Sequence, residues 1–325
     1  MNILIIRFSS LGDVILLRPV VISLLKEYPN TNISILSNIN FKSLFEFDHR
    51  IHFIGIDLNK EKKNISQIIN HVFKEHQAKK FNAIYDLHNV IRSKAIRLAL
   101  KTRGIKTRVF EKGRKEKKLL IQGEIPFKQL THTTNRYLNC LRKDFPLISS
   151  DFSNQKMKKS NEKLERTIGI APFAKHESKI WPIENFKEVE DAMEGYNFLI
   201  FAFGKKERDQ TSKIFKNYTL VDENLNFEQQ LNLINQLPAF ISMDSANMHL
   251  ASLTNTKVIS IWGPTHHYIG FGPLNNEKYI INNPKNEAIS VFGKIKTKDQ
   301  EKAKESMNSI KTESVINMLK LALKD

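Results

Sequence analysis

Short apolar runs rich in Ile, Val, Leu and Phe alternate with longer amphipathic stretches along almost the whole chain, and this alternation most limits the folds open to it. A short β-branched run followed by a segment with helical spacing reads as strand then helix. Strands joined by crossover helices lie parallel, so the pattern predicts α/β sheets. The expected strands are Asn2–Phe8, Ile33–Ser37, Ile51–Ile56, Asn82–Leu87 and Thr107–Phe110, with helices over Val14–Tyr28, Ile65–Ala78, Val90–Leu100 and Thr133–Phe145. From Phe145 to Arg166 the period lapses into polar Ser/Asn/Lys-rich sequence, which reads as a linker. Strands resume at Thr167–Ala171, Asn197–Phe203, Tyr218–Val221, Ala239–Met243 and Val258–Trp262, separated by helices such as Ile183–Glu194 and Phe227–Gln236.

A chain of 325 residues exceeds one ordinary core. Two Rossmann-like βα domains are expected, residues 1–155 and 166–308, their parallel sheets facing a central cleft. A C-terminal helix, Ser309–Leu323, is free to pack back onto the first domain. The lone Cys140 permits no intramolecular disulfide and points to a reducing compartment. Arg7, Asp13 and Arg18 interrupt the apolar N-terminus, and no stretch approaches the ~20 apolar residues of a membrane span. A cytoplasmic protein, peripheral to a membrane at most, is the expectation.

Charge is unevenly divided. Residues 1–160 carry 30 Lys/Arg against 13 Asp/Glu, whereas residues 161–325 carry 21 of each. A field of that sign attracts polyanions, whether nucleic acid, an anionic lipid surface or a phosphorylated glycolipid. The stretch Lys101–Lys118 is its densest part, with nine basic and two acidic residues.

Ligands of doubly wound folds bind beyond the carboxyl ends of strands, which selects four places: Ser9–Asp13, Leu87–Ser93, Pro172–Pro182, and Asp244–His249 with Gly263–Thr265. In RFSSLGDVILLRP, Gly12 suits a tight turn and Asp13 stands at a helix start, as a catalytic carboxylate or only an N-cap. In APFAKHESKIWPIENF, Lys175, His176 and Lys179 could neutralise a diphosphate, or point into water while Trp181-Pro182 staple the loop. In ISMDSANMHLAS, Ser245 and Ala246 leave backbone N–H groups for an anion, Asp244 can accept from sugar hydroxyls, and His249 lies on the first turns of the helix. The plainer reading is a capped, core-packed helix. P-loop, HExxH and GxSxG patterns are absent, and Gly270-Phe271-Gly272 reads as a turn. Without an Asp-x-Asp, a transferase here must use protein cations, so neither metal nor cofactor is expected.

Taken in order, ILIIRFSSLGDVILLRP, DLHNVIRS, PFAKHESKIWP, DSANMHLAS and WGPT resemble the ADP-heptose:lipopolysaccharide heptosyltransferases, glycosyltransferase family nine, over nearly the whole chain. The resemblance implies a GT-B fold, with acceptor bound by the first domain and nucleotide sugar by the second, and inversion without a metal. It implies Asp13 as the base and Lys179 as the group that offsets charge on the departing diphosphate. On the donor side it implies Lys179, Asp244, Ser245, Ala246 and His249; Lys175, Gly204 and Glu207 are expected beside them. On the acceptor side Ser10, Gly12, His88, Arg92, His132 and Arg136 are expected. The sequence departs from a common family pattern at Asp86-Leu87-His88, where many members have Asp-x-Gln, and at Ala174-Lys175, where members often have Ser or Thr. The expected partners are ADP-heptose, an anionic lipopolysaccharide-core acceptor such as Kdo–lipid A, and the cytoplasmic face of the inner membrane, with no specific nucleic acid. The competing readings are a relative using another nucleotide sugar for surface polysaccharide, and a non-catalytic basic nucleic-acid binder.

Overall fold

The computed structural model describes residues 1–57 and 65–325. It resolves into two compact units, Met1–Lys112 with Thr133–Gln155, and Gly113–His132 with Lys156–Asp325. Each is built on one wholly parallel sheet.

The first unit runs β1 (Asn2–Ile6), α1 (Leu11–Ile15), α2 (Arg18–Glu27), β2 (Asn32–Asn38), β3 (Ile51–Ile56), α3 (Ile65–Lys79), β4 (Ala83–Asp86), α4 (Ile91–Lys101) and β5 (Lys106–Val109). Its strand order is β3-β2-β1-β4-β5. The order reverses between β1 and β4, so the loops leaving these two strands diverge and open a crevice at their carboxyl ends. Ile6 pairs with Asp86, and Arg7 and Leu87 therefore leave the sheet side by side. The single helix expected over Val14–Tyr28 is two helices. Pro19 stands in the first turn of α2, where its missing N–H costs nothing, and its ring would obstruct a continuous helix.

Next in the chain, α5 (Arg114–Gln122) leaves for the second unit, and α6 (Thr133–Leu141) returns to pack on α2 and β5. The sequence expectation kept this excursion in the first domain. Its apolar side decides otherwise: Leu120 and Leu130 form one cluster with Ile269 and Ala288, and the Lys117 ammonium lies 4.1 Å from the Phe271 ring centroid. The basic run Lys101–Lys118 is thus divided between the units. Unit by unit, 22 Lys/Arg face 11 Asp/Glu in the first and 29 face 23 in the second, so both are cationic and the first more steeply.

The second unit continues with β6 (Thr167–Ala171), α7 (Asn185–Ala192), β7 (Asn197–Ile200), α8 (Gly204–Ile214), β8 (Tyr218–Leu220), α9 (Phe227–Ile234), β9 (Ala239–Met243), α10 (Ala246–Ala251), β10 (Lys257–Trp262), β11 (Ile280–Asn282), α11 (Gln300–Asn308) and α12 (Thr312–Lys324). Its order β11-β10-β9-β6-β7-β8 reverses between β6 and β9. The C-terminal helix belongs to the second unit. Val315, Leu319 and Ala322 of α12 are buried with Ile241, Ile259 and Ile261 of β9 and β10. Among the described residues no helix is long and apolar enough to cross a membrane.

Candidate active site

In the first unit the site forms where β1 and β4 end. Ser10 is the N-cap of α1 and Asp13 its third residue, so the carboxylate accepts the Ser10 backbone N–H at 3.3 Å, half of a capping box. Helix capping does not account for the rest. The Arg7 guanidinium meets Asp13 Oδ2 at 2.6 Å, and the Ser10 hydroxyl donates to the same oxygen at 2.6 Å. Arg7 is itself anchored by donation to the Leu87 carbonyl at 2.7 Å. Tyr137 donates its hydroxyl to the Asp13 carbonyl at 3.2 Å, which ties α6 to the same turn. Gly12 lies within the first turn of α1 rather than in a loop.

His88 stands beside this pair. Asp86, wholly buried, accepts the backbone N–H groups of His88 and Asn89 at 3.1 and 2.7 Å and so sets the turn after β4. His88 Nδ1 accepts the Phe8 N–H at 3.3 Å, which leaves the proton of a neutral ring on Nε2. Burial, then the cationic fields of Arg7, Lys112 and Arg92, push its pKa down to about 3 against the opposing field of Asp13. It is a neutral donor at working pH. Arg92 lies 5.7 Å over the Phe8 ring, and Arg136 is half-buried on α6. His132 falls in the second unit instead, where its Nε2–H donates to the Gly272 carbonyl at 3.0 Å; burial holds its pKa at about 4. The divided assignment follows from the same packing that carries α5 across.

In the second unit the loop after β6 meets the loop after β9. Lys179 Nζ is 2.9 Å from Asp244 Oδ2, and the Thr265 hydroxyl donates to that oxygen at 2.7 Å. Both charged side chains are only 12 % exposed, so the pair is shielded from water. The loop divides between its residues: one staples it and one lysine turns inward. Trp181 staples it, wholly buried, with its indole N–H on the Ile310 carbonyl at 3.0 Å. Lys175 is exposed while Lys179 turns inward.

Gly293 explains how Lys179 is aimed. At φ +78° it passes so close to the lysine stem that a Cβ there would lie 2.7 Å from Cδ and 2.8 Å from Cε and Cγ. Ser178 donates to the Gly293 carbonyl at 2.7 Å, and Ser290 accepts the Gly293 N–H at 3.1 Å. Beside this strap is a cavity of about 730 Å³, lined among others by Lys175, His176, Lys294 and Lys304. His176 is held below its ordinary pKa by burial and then by Lys179, Lys175 and Lys294.

The remaining donor-side residues are divided. Ser245 is the N-cap of α10, its hydroxyl 3.2 Å from that of Ser242, and Ala246 opens the helix; His249 is buried one turn on. Gly204 and Glu207 lie at the start of α8, where carboxylates already engage the backbone: Glu223 accepts the Gly204 N–H, and Glu207 accepts that of Phe203 at 2.8 Å. Burial raises the Glu207 pKa. Arg7 and Gly293 were not singled out by sequence reasoning. Arg7, a charge directly after a buried strand, carried a signal; Gly293 carried none.

The model of glycosyltransferase family 9 (heptosyltransferase) matches residues 69–302. The chain belongs to this family. It is therefore a glycosyltransferase, which removes the reading as a non-catalytic nucleic-acid binder. This family 9 chain is 24 % identical to the lipopolysaccharide core heptosyltransferase OpsX of Haemophilus influenzae, over 98 % of the chain and 96 % of the relative. It is 23 % identical to lipopolysaccharide heptosyltransferase 3 of Escherichia coli, over 82 % and 84 %. Its fold matches that of the E. coli heptosyltransferase WaaC with ADP-2-deoxy-2-fluoro heptose, with a TM-score of 0.70 at 15 % identity over 99 % of both chains. The family 9 fold is thus the two-sheet GT-B type.

Proposed function

We propose that this glycosyltransferase moves heptose from ADP-heptose to an anionic acceptor of the lipopolysaccharide inner core, Kdo–lipid A or its heptosylated product, with inversion and without a metal. One observation carries the reading: at its own strand-order reversal each unit holds a shielded carboxylate–cation pair, Arg7–Asp13 in the first and Lys179–Asp244 in the second. The names of the similar proteins, OpsX and WaaC with its ADP-sugar, support the choice of sugar and nucleotide.

In this reading Asp13 takes the proton of the acceptor hydroxyl as its oxygen bonds to the anomeric carbon. The bond from that carbon to the diphosphate oxygen breaks on the opposite side, and its electron pair leaves with the nucleoside diphosphate. Arg7 and Ser10 hold the Asp13 carboxylate in one orientation, which is worth more than proximity alone. Lys179 exchanges its bond with Asp244 for the departing phosphate and supplies the charge a divalent ion supplies elsewhere. Asp244, still receiving the Thr265 hydroxyl, accepts from the sugar hydroxyls. The backbone at Ser245 and Ala246, with His249, Lys175, Glu207 and Gly204, completes the donor side, and His132, of the same unit, serves as an acceptor contact. His88, through Nε2–H, serves with Arg92, Arg136, Ser10 and Gly12 on the acceptor side. The enzyme works at the cytoplasmic face of the inner membrane, where a glycolipid acceptor resides.

Purified protein given ADP-heptose and Kdo–lipid A should add one heptose, read by mass spectrometry. Product formed from a different nucleotide sugar, and none from ADP-heptose, would transfer the assignment to another surface polysaccharide.

A further inference from the structure

We propose that the outward face of α4 is a docking surface for an anionic lipid bilayer. The helix buries Ser93, Ile96 and Leu100. At about 100° per residue, Ile91 and Leu98 fall on the opposite side. Ile91 is 82 % exposed and Leu98 65 %, so a helix already amphipathic toward its core carries a second apolar stripe toward water. The charges sort the same way. The segment Ile91–Lys101 contains Arg92, Lys94, Arg97 and Lys101 and no acidic residue. Arg97 turns inward to Asp86 at 3.5 Å and Arg92 lies over Phe8, whereas Lys94 and Lys101 are exposed and pair with no carboxylate among the described residues.

Two apolar side chains flanked by two exposed lysines match the boundary of a bilayer. The aliphatic groups enter the acyl region while the long ammonium stems reach lipid phosphates. The excess of 22 basic over 11 acidic residues in the first unit adds attraction at longer range. A protein partner fits less well. Two side chains cover little of the roughly 800 Å² per partner that a stable interface buries, and the lysines of two copies would repel. The surface deepens the reading of the acceptor as a glycolipid and rests on it, since it would hold the enzyme where such an acceptor lies.

Sedimentation of the full chain with vesicles of phosphatidylglycerol and phosphatidylethanolamine, without donor or acceptor, tests the surface separately from the reaction. Binding is expected to these vesicles and not to phosphatidylcholine. The double variant I91S/L98S should lose about ten-fold or more in partitioning, and K94Q/K101Q about 25-fold, near five-fold per lysine. Both should keep the thermal unfolding and the turnover of the unsubstituted chain on a water-soluble, deacylated acceptor. Wild-type partitioning by I91S/L98S, or no binding of the unsubstituted chain to anionic vesicles, overturns the proposal. So does a vesicle-free dimer that I91S/L98S converts to monomer, which would assign the face to self-association. No turnover by the unsubstituted chain on any acceptor would count against the assigned reaction and leave the vesicle result standing.

Discussion

The stem of Lys179 runs so close past Gly293 that an added methyl would sit 2.7 Å from Lys179 Cδ and would displace the lysine. The lysine is held from both ends, by this backbone contact along its chain and by Asp244 at its ammonium group. A flexible side chain is thereby given one direction, toward the place where a diphosphate leaves in the proposed reaction.

Gly293→Ala should therefore act through Lys179. We expect kcat to fall about 10- to 100-fold, at the scale of a misplaced electrostatic group. The decisive measurement is a double-mutant cycle with Lys179→Met. If Gly293→Ala works by moving the lysine, adding it to Lys179→Met should cost almost nothing further in kcat; additive losses would show only general damage to the loop.

Asp13→Asn should lower kcat by about 10² to 10⁴, the range of a general base, while ADP affinity by calorimetry stays unchanged. Turnover equal to that of the unsubstituted enzyme would remove Asp13 from the base role. Arg7→Ala should lower turnover too, and also destabilise the first unit by about 2 kcal/mol. That value is intermediate because Arg7 is buried and Asp13 partly exposed.

His88, His132 and His266 share a depressed pKa. Burial comes first in each case, and the values are about 3, 4 and 4. The unfolded chain takes up protons near pH 6.5, where these rings remain neutral in the fold. Unfolding thus binds protons below about pH 6.5, and stability rises with pH across that window. Each histidine contributes a slope approaching about 1.4 kcal/mol per pH unit until the folded pKa is reached. Urea unfolding at pH 7, 6 and 5 should show falling midpoints, and NMR should find the His88 ring unchanged from pH 8 to 5.

Leu319 is fully buried in the core of the second unit. Leu319→Ala should cost about 2–5 kcal/mol as a cavity substitution. Hydrogen exchange should show the loss of protection in β9 and β10 rather than in β1 and β4. The reverse distribution would mean that α12 belongs to the first core.

Much of the frame was legible because a parallel strand is marked by its own apolar run. Ile51–Ile56, Thr167–Ala171 and Ala239–Met243 coincide with observed strands to the residue. α8 was not marked. Thr211 is its only buried residue, so it carries almost no apolar period. Pro19 marks the division of Val14–Tyr28 in the sequence itself.

The sequence alone determined the alternation of strand and helix, the two parallel sheets, and the placement of Asp13, Lys179 and Asp244 just beyond strand ends, because each follows from residue type and local order. Tertiary structure alone decided which core receives an apolar stripe: α5 and His132 crossed to the second unit, and α12 stayed there. It also decided which charges meet. Arg7 is anchored on the Leu87 carbonyl because β1 and β4 pair with Ile6 beside Asp86, and the stem of Lys179 lies against Gly293, more than a hundred residues away, on its way to Asp244. Local sequence encodes periodicity, but contacts between distant segments depend on strand register and on space, and neither is written in any one stretch of chain.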